Sequence, residues 1–288
     1  MKPAPFQMLR PRDVAEALSL LATFGDDAKV MAGCQSLGPM LNLRLATPST
    51  IVDLSGIAEL KRAHEADDAI IYGALVTHAD IEDGRVPDAG ENVMRRVAAG
   101  IAYRAVRNRG TIGGSLSHAD PAADWVNALS TLEAQIEMAS HSGRRILPLS
   151  QFLTGALSTA LEAGEIVVAV KVPKVPASAR FGYAKHCRKV GEFAHAVGAL
   201  VVDGAAGAGR VLVGALDAPP LIITDILPLF GGSLEGDLAA RFDADAIHAA
   251  LNSYGLTDEV DRHIHVEMLR RAVKQVSEAP SPDLRSVA

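Results

Sequence analysis

Arg104-Ala105-Val106-Arg107-Asn108-Arg109-Gly110-Thr111-Ile112-Gly113-Gly114-Ser115 runs on to His118-Ala119-Asp120-Pro121-Ala122-Ala123-Asp124-Trp125. Thr111 to Ser115 reads as a tight turn of small residues, where a backbone comes close to something. Glycine tolerates positive φ and has no Cβ to obstruct a ligand. Asp120 before Pro121 predicts a helix start, a capping acid followed by proline at the first helical position. Trp125, Val126, Leu129 and Leu132 then share one apolar face. A second turn of this kind lies upstream, at Ala32-Gly33-Cys34-Gln35-Ser36-Leu37. A short strand at 28–32 leads into it and a helix at 37–43 follows. Such a strand–turn–helix, with free backbone N–H groups, is a cradle for phosphate. Neither turn is Gly-x-Gly-x-x-Gly or a Gly-Lys-Ser/Thr loop. A Gly-Gly pair alone is an ordinary turn. The two gain meaning only if they face one ligand, for which a diphosphate is the simplest choice.

Working outward, residues 12–24 form a first helix, with Val14, Ala17, Leu18 and Leu21 at helical spacing and Asp13 at its cap. Strands are predicted at 50–54 and 69–73, helices near 77–82 and 92–102. A hairpin at 135–139 and 145–149 turns on Ser142-Gly143. A strand over 165–172 is stopped by Pro173. Pro173-Lys174-Val175-Pro176-Ala177-Ser178 has linker composition. Beyond it come strands at 182–185, 194–202 and 211–216 and helices at 244–252 and 258–276. The mixture is α+β, without a long parallel β/α alternation. The domains are expected at 1–177, with lobes of about 1–55 and 56–177, and at 178–288.

The chain has 288 residues, 49% of them hydrophobic and 22% charged, which excludes disordered, coiled-coil and collagen-like classes. Its 28 basic and 34 acidic residues give a net charge of −6, with no bulk drive toward nucleic acid or anionic membrane. Two cysteines, Cys34 and Cys187, cannot furnish an iron–sulfur site, which takes about four thiolates. Reduced thiols and the lack of a signal-like N-terminus point to the cytoplasm. No clean apolar run of about 20 residues predicts a membrane span.

At its motifs the sequence resembles the FAD-binding medium subunit of the molybdenum hydroxylases, the carbon monoxide dehydrogenase and xanthine dehydrogenase type. Ala32-Gly33-Cys34-Gln35-Ser36-Leu37, with Arg44 beyond, resembles that family's first turn. Arg107 to Ser115, with Asp120-Pro121 and Asp124, resembles its second. Further matches are Gly164-Glu165-Ile166-Val167, Lys185 with 188–194, and more loosely 269–272, so the likeness spans about residues 1–275. It implies a two-lobed FAD domain of the PCMH type and a smaller C-terminal domain with a three-stranded antiparallel sheet and helices. It implies FAD contacts at Met31, Ala32, Gly33, Cys34, Gln35, Ser36 and Leu37. By position it adds Ile101, Thr111, Ile112, Gly113, Gly114, Ser115, Asp124, Val167, Lys185 and Phe193. Phe193 would lie near the isoalloxazine, and Lys185 near its N1 and C2 carbonyl.

The resemblance further implies an electron-transfer subunit with no catalytic triad and no metal of its own. Electrons would come from [2Fe–2S] clusters on a small subunit, fed by a molybdenum–pterin centre on a large subunit. The flavin would pass them to an external acceptor. A dimer of heterotrimers is the implied assembly. Cys34 departs from the family's second glycine and, at positive φ, would cost about 1 kcal/mol. Read from the residues alone, Lys185 is a solvated lysine, Asp124 a first-turn acid and His118 a loop histidine beside a cap. His263 and His265, two apart on a helix, are poor co-ligands. Arg95, Arg96, Arg104, Arg107 and Arg109 make a local positive region, for a partner, a phosphate or solvent. Two other functions stay open: a stand-alone flavin oxidoreductase of similar fold, and an assembly or binding module that has lost FAD.

Overall fold

A computed structural model describes residues 2–278. Its first three strands, β1 (Gln7–Leu9), β2 (Ala28–Met31) and β3 (Thr50–Asp53), form a parallel sheet in the order β1-β3-β2. Helix α1 (Val14–Phe24) starts at Asp13, whose side chain accepts the Glu16 N–H. Its apolar stripe of Val14, Ala17, Leu18 and Leu21 packs on Val52 and Leu54. Helix α2 (Leu37–Asn42) follows the first glycine turn.

The next lobe is built on an antiparallel sheet. Its strands are β4 (Ala63–Glu65), β5 (Ala69–Gly73), β6 (Gln135–Ser140), β7 (Gly143–Pro148) and, after a two-stranded ribbon of β8 (Leu153–Gly155) and β9 (Ser158–Thr159), β10 (Ile166–Pro173). The order β4-β5-β10-β6-β7 puts β10 in the centre. Its run Ile166-Val167-Val168-Ala169-Val170 is buried throughout, as a strand covered on both faces should be. Helices α3 (His78–Glu82), α4 (Val93–Ala99), α5 (Arg104–Arg107), α6 (Ile112–His118), α7 (Asp124–Thr131) and the short α8 (Leu149–Phe152) complete the lobe. Every residue of α7 from Trp125 to Thr131 is buried. The helix touches α4 and α6 on one side and the C-terminal sheet on the other.

That last sheet contains β11 (Ala179–His186), β12 (Ala196–Asp203), β13 (Ala208–Gly214) and β14 (Leu221–Ile223), all antiparallel. After the short α9 (Leu238–Arg241) come α10 (Ala244–Tyr254) and α11 (Glu259–Ser277). Helix α11 lies across β11 and β12 so closely that a Cβ on Gly198 would collide with the backbone of Leu269.

The α+β class and most expected elements stand, with differences of physical origin. The C-terminal sheet has four strands, because the bend at residues 215–220, where Ala215 takes positive φ and Pro219-Pro220 end the loop, brings the brief apolar run of β14 back beside β13. Asp120-Pro121 closes a single turn, with Asp120 Oδ1 accepting the Ala122 N–H at 2.9 Å. Ala123 then returns to extended backbone, so α7 starts three residues later, at Asp124. Helix α4 stops at Ala99 instead of 102, since Ala102 takes positive φ. Thr111 to Ser115 is not an open turn: Thr111 caps α6, and Gly113 and Gly114 lie within its first turn.

Candidate functional site

The two glycine segments, nearly 80 residues apart in sequence, meet backbone to backbone. A Cβ on Gly33 would overlap the carbonyl oxygen of Arg109, and Gly110 Cα lies beside it. The direction a Gly114 Cβ would take points toward Ala32, 3.6 Å from its methyl carbon. Gly33 is therefore required by proximity, while its neighbour carries the unusual dihedral: Cys34 has φ 62°. That left-handed residue turns the chain so that the N–H groups of Gly33, Cys34, Gln35, Ser36 and Leu37 donate to no acceptor among the described residues. Successive amides freed in this way form an anion-binding concavity. The Gln35 side chain braces the turn by donating to the Gly33 carbonyl at 3.2 Å. Cys34, Leu37 and Met31 anchor its underside against Leu41 and Ile51. Burial raises the Cys34 thiol above its usual pKa, and the nearby Arg109 charge pulls the other way.

The second segment is committed to its own fold. Ile112 N–H donates to Val76 O, Gly113 N–H to Ala74 O, Gly114 N–H to Thr111 Oγ1 and Ser115 N–H to Thr111 O. Ile112 and Gly113 are buried, and a Cβ on Gly113 would press into Ala74. This segment is thus the wall against which the first turn is set, with Gly114 and Ser115 half-exposed at its rim.

The lone tryptophan supports this wall from beneath. Trp125, fully buried, donates its Nε1–H to His78 Nδ1 at 3.0 Å. His78 N–H donates to Gly110 O at 2.9 Å, and Thr77 bridges Thr111. Burial, with help from the Arg107 charge, pushes the His78 pKa down to about 4.

Asp124, next to Trp125, anchors the C-terminal sheet. Lys185 Nζ donates to Asp124 Oδ1 and Oδ2, both at 2.8 Å, and to Gly100 O at 2.8 Å. Tyr183 OH donates to Asp124 Oδ1 at 2.8 Å. Burial pushes the Asp124 carboxyl up against the pull of Lys185, and burial beside that carboxylate raises the Tyr183 phenol. Lys185 is therefore a half-buried ion-pair partner and not the solvated lysine of the residue-level reading.

The other expected positions are scattered in role. Ile101 is half-buried and gives its carbonyl to Arg107 Nη1 at 2.9 Å. Val167 is only 5% exposed within the main core, leaving its backbone as the part that can face a ligand. Phe193 is 58% exposed on the loop after β11. Nearby, Gly191 packs against the Tyr103 ring. Of the five arginines, Arg104 and Arg107 pair with Glu82, and Arg104 also with Asp83. Arg95 and Arg96 make hydrogen bonds of their own. Only Arg109, exposed beside the first turn, has no side-chain hydrogen bond among the described residues. Residue patterns did not single out His78 or Tyr183. The signal available for His78 was a lone tryptophan whose N–H, once buried, has to find an acceptor. No group of three or more His, Cys, Asp or Glu able to hold a metal occurs among the described residues, and no described helix is long and apolar enough to cross a membrane.

A cofactor domain with an anion-binding turn set on a glycine-rich wall is the class this geometry defines. Residues 4–175 match the family model described as the FAD binding domain in molybdopterin dehydrogenase, and the chain belongs to that family of oxidoreductase components. It is 38% identical over 194 residues to the 6-hydroxypseudooxynicotine dehydrogenase complex subunit alpha of Paenarthrobacter nicotinovorans, covering 67% of this chain and 66% of that one. It is 33% identical over 243 residues to the carbon monoxide dehydrogenase medium chain of Afipia carboxidovorans, covering 77% and 84%. Among solved structures, the carbon monoxide dehydrogenase of Hydrogenophaga pseudoflava superposes with a TM-score of 0.84 at 29% identity, over 96% of this chain and 98% of that one. FAD is the family's cofactor. The donor set fits it, since free amides and an unengaged Arg109 suit a diphosphate.

Two outcomes follow from this geometry. Gly33→Ala should drive the two segments apart, costing about 1–3 kcal/mol as overpacking does, and weaken flavin binding. Cys34→Gly, which relieves a left-handed residue worth about 1–2 kcal/mol, should keep or tighten it. Flavin titration with thermal unfolding reads both, and the reverse ranking would show that close approach is not the constraint. Separately, a histidine near pKa 4 when folded and about 6.5 when unfolded binds more protons unfolded. Its stabilisation is complete above about pH 6.5, declines below that, and has lost about 3 kcal/mol by pH 4. His78→Asn should remove that slope, as measured by denaturant unfolding across this range.

Proposed function

We propose that the chain is the FAD-carrying electron-transfer subunit of a multi-subunit molybdenum hydroxylase. It takes electrons from [2Fe–2S] clusters on a small subunit, downstream of a molybdopterin large subunit, and passes them to an external acceptor. The observation that carries this reading is the run of uncommitted amides at residues 33–37 held against the wall at 109–115. The names of the relatives, subunits and medium chains of larger enzymes, support the partner arrangement. A dimer of heterotrimers in the cytoplasm and a boundary between domains at about residue 177 belong to the same proposal.

FAD, when bound, supplies the redox chemistry, and the protein's part is to bind, orient and tune it. The amides of residues 33–37 would hold the pyrophosphate, with Ser36 and the Arg109 charge beside it. The half-exposed rim at Gly114 and Ser115 borders the groove. Asp124 and Lys185 offer a carboxylate and an ammonium to the ribityl and ring end. Asp124 fixes the Lys185 ammonium by two hydrogen bonds, and Gly100 by a third, so its charge is delivered without side-chain freedom. Phe193, exposed on its loop, would cover the ring.

The purified chain should be yellow, with oxidised-flavin absorption, inactive alone, and should co-purify with an iron–sulfur and a molybdopterin chain when these are co-expressed. A colourless chain that cannot be reconstituted favours the FAD-less module, and a yellow chain that turns over alone favours the stand-alone oxidoreductase. Lys185→Met should lower the flavin midpoint potential by about 30 mV or more, equivalent to about 1.4 kcal/mol for a two-electron couple. An unchanged potential would place Lys185 away from the ring.

A further inference from the structure

The two ends of the site just described are joined by one short chain of contacts, and its central link is the Trp125–His78 hydrogen bond. At one end the His78 ring lies under Gly110, where a Cβ would come within 2.7 Å of Nε2, and the backbone N–H of His78 donates to the Gly110 carbonyl. At the other end Trp125 directly follows Asp124, the residue that fixes Lys185 and Tyr183. Indole Nε1–H is a donor only. His78 Nδ1 therefore accepts, which puts the imidazole proton on Nε2 and keeps the ring neutral. Burial favours the same form, so near neutral pH the bond is a fixed strut and not a switch.

A core serving packing alone does not need this bond, because replacing both partners of a buried hydrogen bond by apolar groups of like shape is close to neutral. What an apolar pair lacks is direction: rings in van der Waals contact can slide, whereas a 3.0 Å hydrogen bond fixes both orientation and distance.

We infer that His78 is a positioning residue whose hydrogen bond with Trp125 sets the glycine-rich wall and the Asp124–Lys185 pair in one register, holding the pyrophosphate and ring ends of the flavin dinucleotide at a fixed separation. The inference rests on the FAD reading above.

The test uses the whole chain with added FAD. His78→Leu removes the acceptor, His78→Asn keeps one at the Nδ1 position, and the double variant His78→Leu/Trp125→Phe replaces the link with an apolar contact that keeps the core filled. Flavin affinity is read by titration, the setting of the ring by visible circular dichroism of the bound flavin. The bond itself is read from the indole N–H resonance, unambiguous because Trp125 is the chain's 1 tryptophan. Expected are a dissociation constant raised about tenfold and an altered flavin spectrum in His78→Leu and in the double variant, with near wild-type values in His78→Asn. Where His78→Leu fails to fold, the double variant decides. Wild-type affinity and flavin spectrum in the folded double variant would overturn the inference while leaving the FAD reading intact. A wild-type chain that takes up no flavin, its indole signal still showing the bond, would overturn both.

Discussion

The site depends on a steric fact at Gly33, where two backbones touch. No side chain can stand between Gly33 and the Arg109 carbonyl, so the first turn rests directly on the second segment. Touching backbones fix the turn's position in a way that interposed flexible side chains would not. The amides of residues 33–37 then face outward because the inner side of the turn is already filled by Cys34, Leu37 and Met31. The cradle is the outside of a packing interface, and its geometry is inherited from that packing.

The division of labour between the segments follows from where their hydrogen bonds go. The amides of the second are used by Val76, Ala74 and Thr111, which tie α6 to the strand–helix junction behind it. Those of the first remain unengaged among the described residues. One segment is rigid and hydrogen-bonded internally, the other is rigid by contact and available to a ligand. Cys34 gives up backbone ease at φ 62° to keep this arrangement, a strain that surrounding contacts must over-determine if it is to persist. Gly38, whose own Cβ would lie 3.2 Å from the Cys34 sulfur, leaves the room that the thiol needs.

Much of the architecture could be read from residue patterns, for reasons that differ by element. Helix α1 was legible because its cap and stripe agree, and β10 because a Val-rich run ends at a proline. Asp120-Pro121 misled because the capping acid was satisfied within an Asx turn closed on the Ala122 N–H, and the helix did not start until Asp124. Gly113-Gly114 misled because each glycine in a helix is locally unfavourable by about 1 kcal/mol; a Cβ on Gly113 would press into Ala74, and one on Gly114 into the Thr111 hydroxyl that caps the helix. Brief strands such as β1, β4 and β14 carry too few residues for a period to register. The partner of Trp125 was invisible for another reason: a tertiary hydrogen bond spanning 47 positions leaves no trace in local spacing.

The pairing of Asp124 with Lys185 and Tyr183 raises a question that burial alone answers. A buried ion pair is weak evidence for stability, since desolvating both charges offsets much of their attraction, and an apolar contact would join α7 to β11 as well. Here burial pushes the carboxyl up while the ammonium at 2.8 Å pulls it down, the same two opposing effects. What the pair provides beyond adhesion is a charge with a fixed position, set where the C-terminal sheet meets the nucleotide-binding lobe. The family match ends at residue 175, yet Lys185 and Tyr183 lie beyond it. Docking the C-terminal sheet and fixing the Lys185 ammonium on Asp124 are then the same event. A chain cut at the linker would lose both side-chain partners of Asp124 and uncover the face of α7 that β12 and β13 cover.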